Sequence, residues 1–220
     1  MMNKNDVQKK IVLGILFIFP LLVYLFFASG VNNFAKLPIL NNKVKELDLN
    51  KQNIRLKGHI TILGYWGGGV SLENKKAEAL NLNEKIYKRF YQFEDFQFVF
   101  LVDSSRSGQV DKLKKSLKQG AGTDLSRWNF ISSNSQYIKA HFSSLKTPFI
   151  LENDYSSPYV FIIDKDLRLR GRDNDKDSEN LYGFDARSVA QINKKMIDDV
   201  KVILAEYRLA LKIYNTKREK

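Results

Sequence analysis

Residues 57–70 read KGHITILGYWGGGV. Ile60, Ile62, Leu63, Tyr65 and Trp66 place apolar side chains on both sides of an extended chain, as in a strand buried in the middle of a sheet. Gly67, Gly68 and Gly69 then break the strand with a turn. From Ser71 to Phe93 the spacing turns helical, with Ala79, Leu82, Ile86, Phe90 and Phe93 on one stripe. Phe96 to Val102 is a second continuous apolar run, closed by Asp103. Strand, helix and strand in that order predict a parallel βαβ unit.

Working outward, Val110, Leu113 and Leu117 mark a second helix that Gly120 and Gly122 end. Trp128 to Ile131 predicts a strand and Asn134 to Phe142 a short helix. Tyr159 to Ile163 predicts another strand, turned at Asp164-Lys165-Asp166 into Leu167 and Leu169. A closing helix starts at Ser188, which has capping-box spacing to Gln191. Val189, Ile192, Met196, Val200, Ile203, Tyr207 and Leu211 trace its apolar stripe. Ahead of the first strand, Leu47-Asp48-Leu49 and Ile54-Arg55-Leu56 read as a hairpin around Asn50 to Asn53. The order as a whole predicts a thioredoxin-like α/β sandwich, a central mixed sheet with helices on both faces.

Ile11 to Ser29 (IVLGILFIFPLLVYLFFAS) contains no charge. As a helix it covers roughly 28 Å, close to the hydrocarbon thickness of a bilayer. Pro20 lies mid-segment, which membrane helices tolerate. A cleaved signal peptide is the competing reading, given Ala28-Ser29-Gly30, but its apolar region is about 7–15 residues long. Lys4, Lys9 and Lys10 precede the span and only Lys36 follows closely, so the N-terminus is expected in the cytoplasm and the domain beyond the inner membrane, in the periplasm of a Gram-negative cell. The expected organisation is a cytoplasmic tail (1–10), a single-pass anchor (11–29), a tether (30–46), the thioredoxin-like domain (47–213) and a basic C-terminal tail (214–220).

The 220 residues include no cysteine and two histidines, His59 and His141. That excludes disulfide scaffolds, thiol nucleophiles, CxxC redox centres, zinc-thiolate and iron–sulfur sites, and no cofactor is expected. The formal net charge is +12, with lysine and arginine dispersed along the chain. No aromatic-interleaved basic module is present, so nucleic acid is not an expected partner. A solvated basic surface is one reading of the charge. Attraction to anionic lipid headgroups is the other.

The stretch Lys57 to Trp66 resembles the first strand of membrane-tethered thioredoxin-like proteins. Phe98 to Asp103, Trp128-Asn129-Phe130-Ile131-Ser132 and Tyr159 to Asp164 are similar to segments of the Sco (SenC-like) family, the copper chaperones of cytochrome c oxidase assembly. The resemblance spans residues 47–207. It implies two copper-binding cysteines spaced CxxxC, which fall here on Val70 and Asn74, and a histidine that falls at about Ser156. All three ligands are replaced, so neither copper chaperoning nor thiol–disulfide exchange carries over.

What the resemblance leaves is a ligand-facing surface: Tyr65, Trp66, Gly67, Gly68, Gly69 and Val70 on one side, Ser156 to Pro158 on the other. It is the candidate face for a membrane or periplasmic protein partner. The glycines also read as an anion-binding concavity or as a plain flexible turn. Tyr65 and Trp66 read as an exposed contact or as core packing, and Pro158 falls where the fold keeps a cis-proline. Asp103, Asp154, Asp164 and Asp166 stand near strand ends, where turn and cap roles compete with acid–base work. Three functions follow: a non-catalytic interaction or assembly module, a metal-delivery or redox protein in which His59, His141 and Met196 would have to converge, and an enzyme of unrelated chemistry near Gly67 to Ser71.

Overall fold

The computed structural model describes residues 4–29, 36–48, 53–68, 72–121 and 124–218. Two compact units result, 1–35 and 36–220. The first contains α1 (Lys4–Ser29). Within it Gln8–Phe26 is long and apolar enough to cross a membrane, a description that a signal sequence near an N-terminus also meets.

The second unit runs β1 (Ile39–Asn41), β2 (Ile60–Gly67), α2 (Leu72–Leu82), a π-helical turn (Asn83–Tyr87), α3 (Lys88–Phe90), β3 (Phe96–Asp103), a 3₁₀ turn (Ser104–Arg106), α4 (Ser107–Ala121), β4 (Trp128–Ser133), α5 (Ser135–Ser143), β5 (Tyr159–Ile163), β6 (Leu169–Arg170), β7 (Arg172–Asp175), β8 (Glu179–Leu181), β9 (Phe184–Asp185), α6 (Val189–Gln191), a second π-helical turn (Ile192–Met196) and α7 (Ile197–Arg218). The main sheet is ordered β1-β6-β5-β2-β3-β4, with β9 on β5. Strands β2, β3 and β4 are parallel, and β5 closes antiparallel on β2. This is the thioredoxin-like arrangement that the order of elements predicts.

The two-residue period of each strand divides the core. Ile60, Ile62 and Trp66 of β2, with Phe96, Phe98, Phe100 and Val102 of β3, join α2, α4 and α7 on one face. Leu63 and Tyr65, with Val99 and Leu101, join Ile138 and Phe142 of α5 on the other. Aromatic rings fill the first face densely: Trp66 lies 4.2 Å from Phe100, and Phe100 stacks on Trp128 at 5.3 Å. The stripe of α2 holds except at its end. Phe93 is 40% exposed because the helix stops at Phe90.

Two expectations fail at the N-terminal side. Within 30–46, Leu37 and Val44 are buried and β1 pairs with β6, so the expected tether contributes to the fold. The signal is weak in sequence because a three-residue edge strand is too short to show a period. The expected 47–56 hairpin forms no ladder among the described residues, and Leu49 to Gln52 lie outside them. Instead the Glu46 carboxylate accepts the amides of Leu47, Leu56 and Lys57 at 2.7–2.8 Å. One side chain does there what strand pairing was expected to do.

At the other end of the sheet, Asp164 and Arg170 are fully buried and paired at 2.9 Å. Arg170 also donates to the Leu37 carbonyl and to Glu206 of α7. Burial alone would push the Asp164 carboxyl up. The Arg168 amide and the Arg170 and Arg168 guanidiniums outweigh it and hold that carboxyl below its usual range. Arg170→Met is expected to cost on the order of 3 kcal/mol in urea unfolding, because it strands the buried Leu37 carbonyl and takes one buried cationic partner from each of Asp164 and Glu206. A cost below about 1 kcal/mol would show that the pair is not a tie.

Candidate functional site

The C-terminal ends of the parallel strands, where open α/β sheets take their ligands, carry Trp66 to Gly68, Asp103 and Ser133. The 152–158 loop closes against them. Trp66 bridges to Ser156, the Ser157 amide donates to the Tyr65 carbonyl at 2.8 Å, and the Gly68 amide donates to the Asp154 carbonyl at 2.8 Å. The predicted face therefore assembles, but its aromatic side chains turn inward. Trp66 is 2% exposed and Tyr65 is fully buried, which corrects the reading of these two as an exposed contact. On a central strand each side chain enters the core of one face or the other, so neither has a way to solvent.

The glycine turn is equally committed. Gly67 has φ of +49°, and a Cβ there would collide with the Asp154 carbonyl oxygen. Glycine is needed because the loop's backbone takes the side chain's place. With its amide on Asp154, Gly68 does not read as part of an anion cradle, and Gly69 to Ser71 lie outside the described residues. Ser156, at the position the resemblance gives to histidine, is buried and donates its hydroxyl to Glu152 at 3.0 Å. No cis peptide occurs among the described residues, so the bond before Pro158 is trans.

Asp103 accepts the hydroxyls of Ser105 (2.7 Å) and Ser135 (2.5 Å), tying β3 to the start of α5. Asp154 caps the Ser156 amide, and Asp164 accepts the amides of Asp166 and Arg168. These are the turn and cap roles.

Sequence reading missed a charged cluster on α2 and the β9 turn. Lys75 and Glu78, 4% and 6% exposed, pair at 3.1 Å. Burial raises the Glu78 carboxyl despite Lys75, and its Oε2 has no hydrogen-bond partner among the described residues. Arg187 pairs with Asp185 at 2.8 Å within the same field. The i, i+3 spacing of Lys75 and Glu78 looks like an ordinary solvated pair; only the packed helix reveals that it is buried.

The candidate ligands do not converge. His59 stands in the turn before β2 with Nδ1 by the Lys57 carbonyl. Met196 is buried on the α7 face of the sheet. His141 is buried on the α5 face, with Nδ1 2.8 Å from the Tyr65 hydroxyl. Burial pushes the Tyr65 phenol well above its ordinary range, so the hydroxyl keeps its proton beside the imidazole. Burial also lowers the His141 pKa to about 4, outweighing the opposing effect of the Lys45 backbone.

Two outcomes follow. In the unfolded chain His141 titrates near 6.5, so the unfolded state binds the extra proton first. This contribution to stability is present above about pH 6.5 and is lost as pH falls toward 4, at up to about 1.4 kcal/mol per pH unit. His141→Gln should flatten that slope in urea titrations at several pH values; an unchanged slope would assign it elsewhere. Trp66→Ala should cost about 3–5 kcal/mol, the range for an emptied aromatic core site, whereas an unshifted melting curve would contradict core placement.

No family model and no curated protein matches this chain. Among solved structures it is similar to a SCO1/SenC family lipoprotein from Bacillus anthracis str. Ames, at 15% identity and TM-score 0.53, covering 77% of this chain and 99% of that one. It also matches BsSco, a member of the Sco family of cytochrome c oxidase assembly proteins with a disulfide switch, at 11% identity and TM-score 0.46, covering 76% and 94%. The first likeness establishes a shared thioredoxin-like fold.

Proposed function

We propose that this chain is a membrane-anchored, Sco-like thioredoxin-fold protein without a redox or copper site, working by contact as a non-catalytic module. Its setting would be cytochrome c oxidase assembly or an accessory place in another envelope membrane complex. The observation that carries the reading is the closure of the strand ends: Trp66 is core, Gly67 lies under the Asp154 carbonyl, and Ser156 is buried against Glu152. Thiol exchange is impossible without cysteine, and Val70, Asn74 and Ser156 occupy the positions that the resemblance gives to the family's ligands. The relative's Sco membership and the apolar α1 support the setting.

The direct test is purification of the full chain in mild detergent and identification of what accompanies it. The reading expects a stoichiometric membrane or periplasmic protein that survives high salt. A chain that purifies alone, and turns over a substrate in an activity screen, would overturn it.

Topology has its own test. Ser104 is exposed, and Ser104→Cys supplies the only thiol. It should react with a membrane-impermeant reagent in intact spheroplasts. Labelling only after lysis would reverse the orientation, and a mature N-terminus near Gly30 would replace the anchor by a cleaved signal.

A further inference from the structure

Strand β4 is one edge of the main sheet. In a parallel ladder alternate residues bond to the neighbouring strand, and those between them direct both amide and carbonyl the other way. The Phe98 amide donates to the Arg127 carbonyl and Phe98 stands opposite Trp128, so the bonds to β3 fall to Asn129 and Ile131. The backbones of Phe130 and Ser132 therefore face away from β3, with no hydrogen-bond partner among the described residues. Trp128 precedes them in that series, and its amide is taken by the Leu125 carbonyl. An edge of this kind is a template for one more strand.

Helix α4 flanks that edge. Val110, Leu113 and Leu117 are its buried stripe, and Lys114 stands beside them with Nζ 5.2 Å from the centre of the Phe130 ring. Lys118 lies one turn further along the same side and Lys115 next to it, both exposed. Asp111 is the only carboxylate of the helix. Among the described residues neither it nor these three lysines form an ion pair. Asp124, ahead of β4, caps the Ser126 amide. This charge selects the occupant. A second copy paired edge to edge would set the same lysines against each other, at +12 per chain, whereas an acidic strand is attracted to them. Side chains alternate along a strand, so carboxylates at every second position all reach the α4 side.

We propose that β4 and α4 form a docking surface for an extended acidic segment of a partner protein. The segment adds as a strand along Phe130 and Ser132, and its alternate carboxylates meet Lys114 and Lys118. The proposal rests on the contact-module reading for a natural partner, but its test needs only the surface, so the two fail separately. The probe is a fluorescent peptide of about ten residues alternating threonine and glutamate. Its binding to the full chain in mild detergent is followed by anisotropy. A second peptide of the same sequence, methylated at every backbone amide, keeps the charge and loses the donors.

The plain peptide should bind saturably and protect the Phe130 and Ser132 amides from hydrogen exchange. Methylation, Ser132→Pro, and Lys114→Glu with Lys118→Glu should each weaken binding by about tenfold or more. Proline is tolerated at an edge position whose amide faces outward, and melting curves check that each variant folds. The methylated peptide carries the test without any variant. Equal binding of the two peptides would overturn strand addition, as would unchanged exchange at Phe130 and Ser132. A single-stranded oligonucleotide that binds more tightly than the peptide, and loses affinity with the two lysines reversed, would assign the surface to nucleic acid instead. Dimerisation of the chain that Ser132→Pro abolishes would assign the edge to a second copy.

Discussion

The guanidinium of Arg170 lies between the Leu37 carbonyl, the Asp164 carboxylate and Glu206 of α7. At 1% exposure it has no water to replace any of them. It therefore fixes three parts of the chain that are distant in sequence: the entering segment, the β5–β6 hairpin and the closing helix. Buried ion pairs contribute little net stability over an apolar substitute, yet breaking one is costly. Their use here is register. With α7 held, Val200 and Ile203 cover one face of the sheet. With the entering segment held, Val44 and Leu47 cover the other.

That frame bears on function through what it leaves closed. Strand ends that could take a ligand are occupied by the molecule's own backbone and side chains, and the buried His141–Tyr65 pair is neutral. Among the described residues of the 36–220 unit, Ile150 is the most exposed large apolar side chain, and it lies on the loop leading to β5, outside the strand-end cleft itself.

Much of the fold is legible in sequence because its central strands are buried on both faces. Ile60 to Trp66 and Phe96 to Val102 are continuous apolar runs, and such runs separated by a helical stripe leave few topologies. The capping role of Ser188 is also readable: its hydroxyl accepts the Gln191 amide as expected, although the Gln191 side chain caps Asp185 instead. What escapes is tertiary. Glu46 replaces a hairpin by three hydrogen bonds, and no periodicity encodes that. Trp66 reads as core packing or as an exposed contact until the loop that covers it is placed. Ile150 lies in a loop without a period, so its exposure is visible only in three dimensions.

A thioredoxin-like fold working without a bound redox metal, as proposed, should hold copper weakly. Purified full chain, loaded with Cu(I) and challenged with a competing chelator at neutral pH, should surrender the metal, and His59→Ala and His141→Ala should behave the same way. Retention of one equivalent, abolished by either substitution, would contradict the account and show that histidine serves where the Sco-like pattern has cysteine.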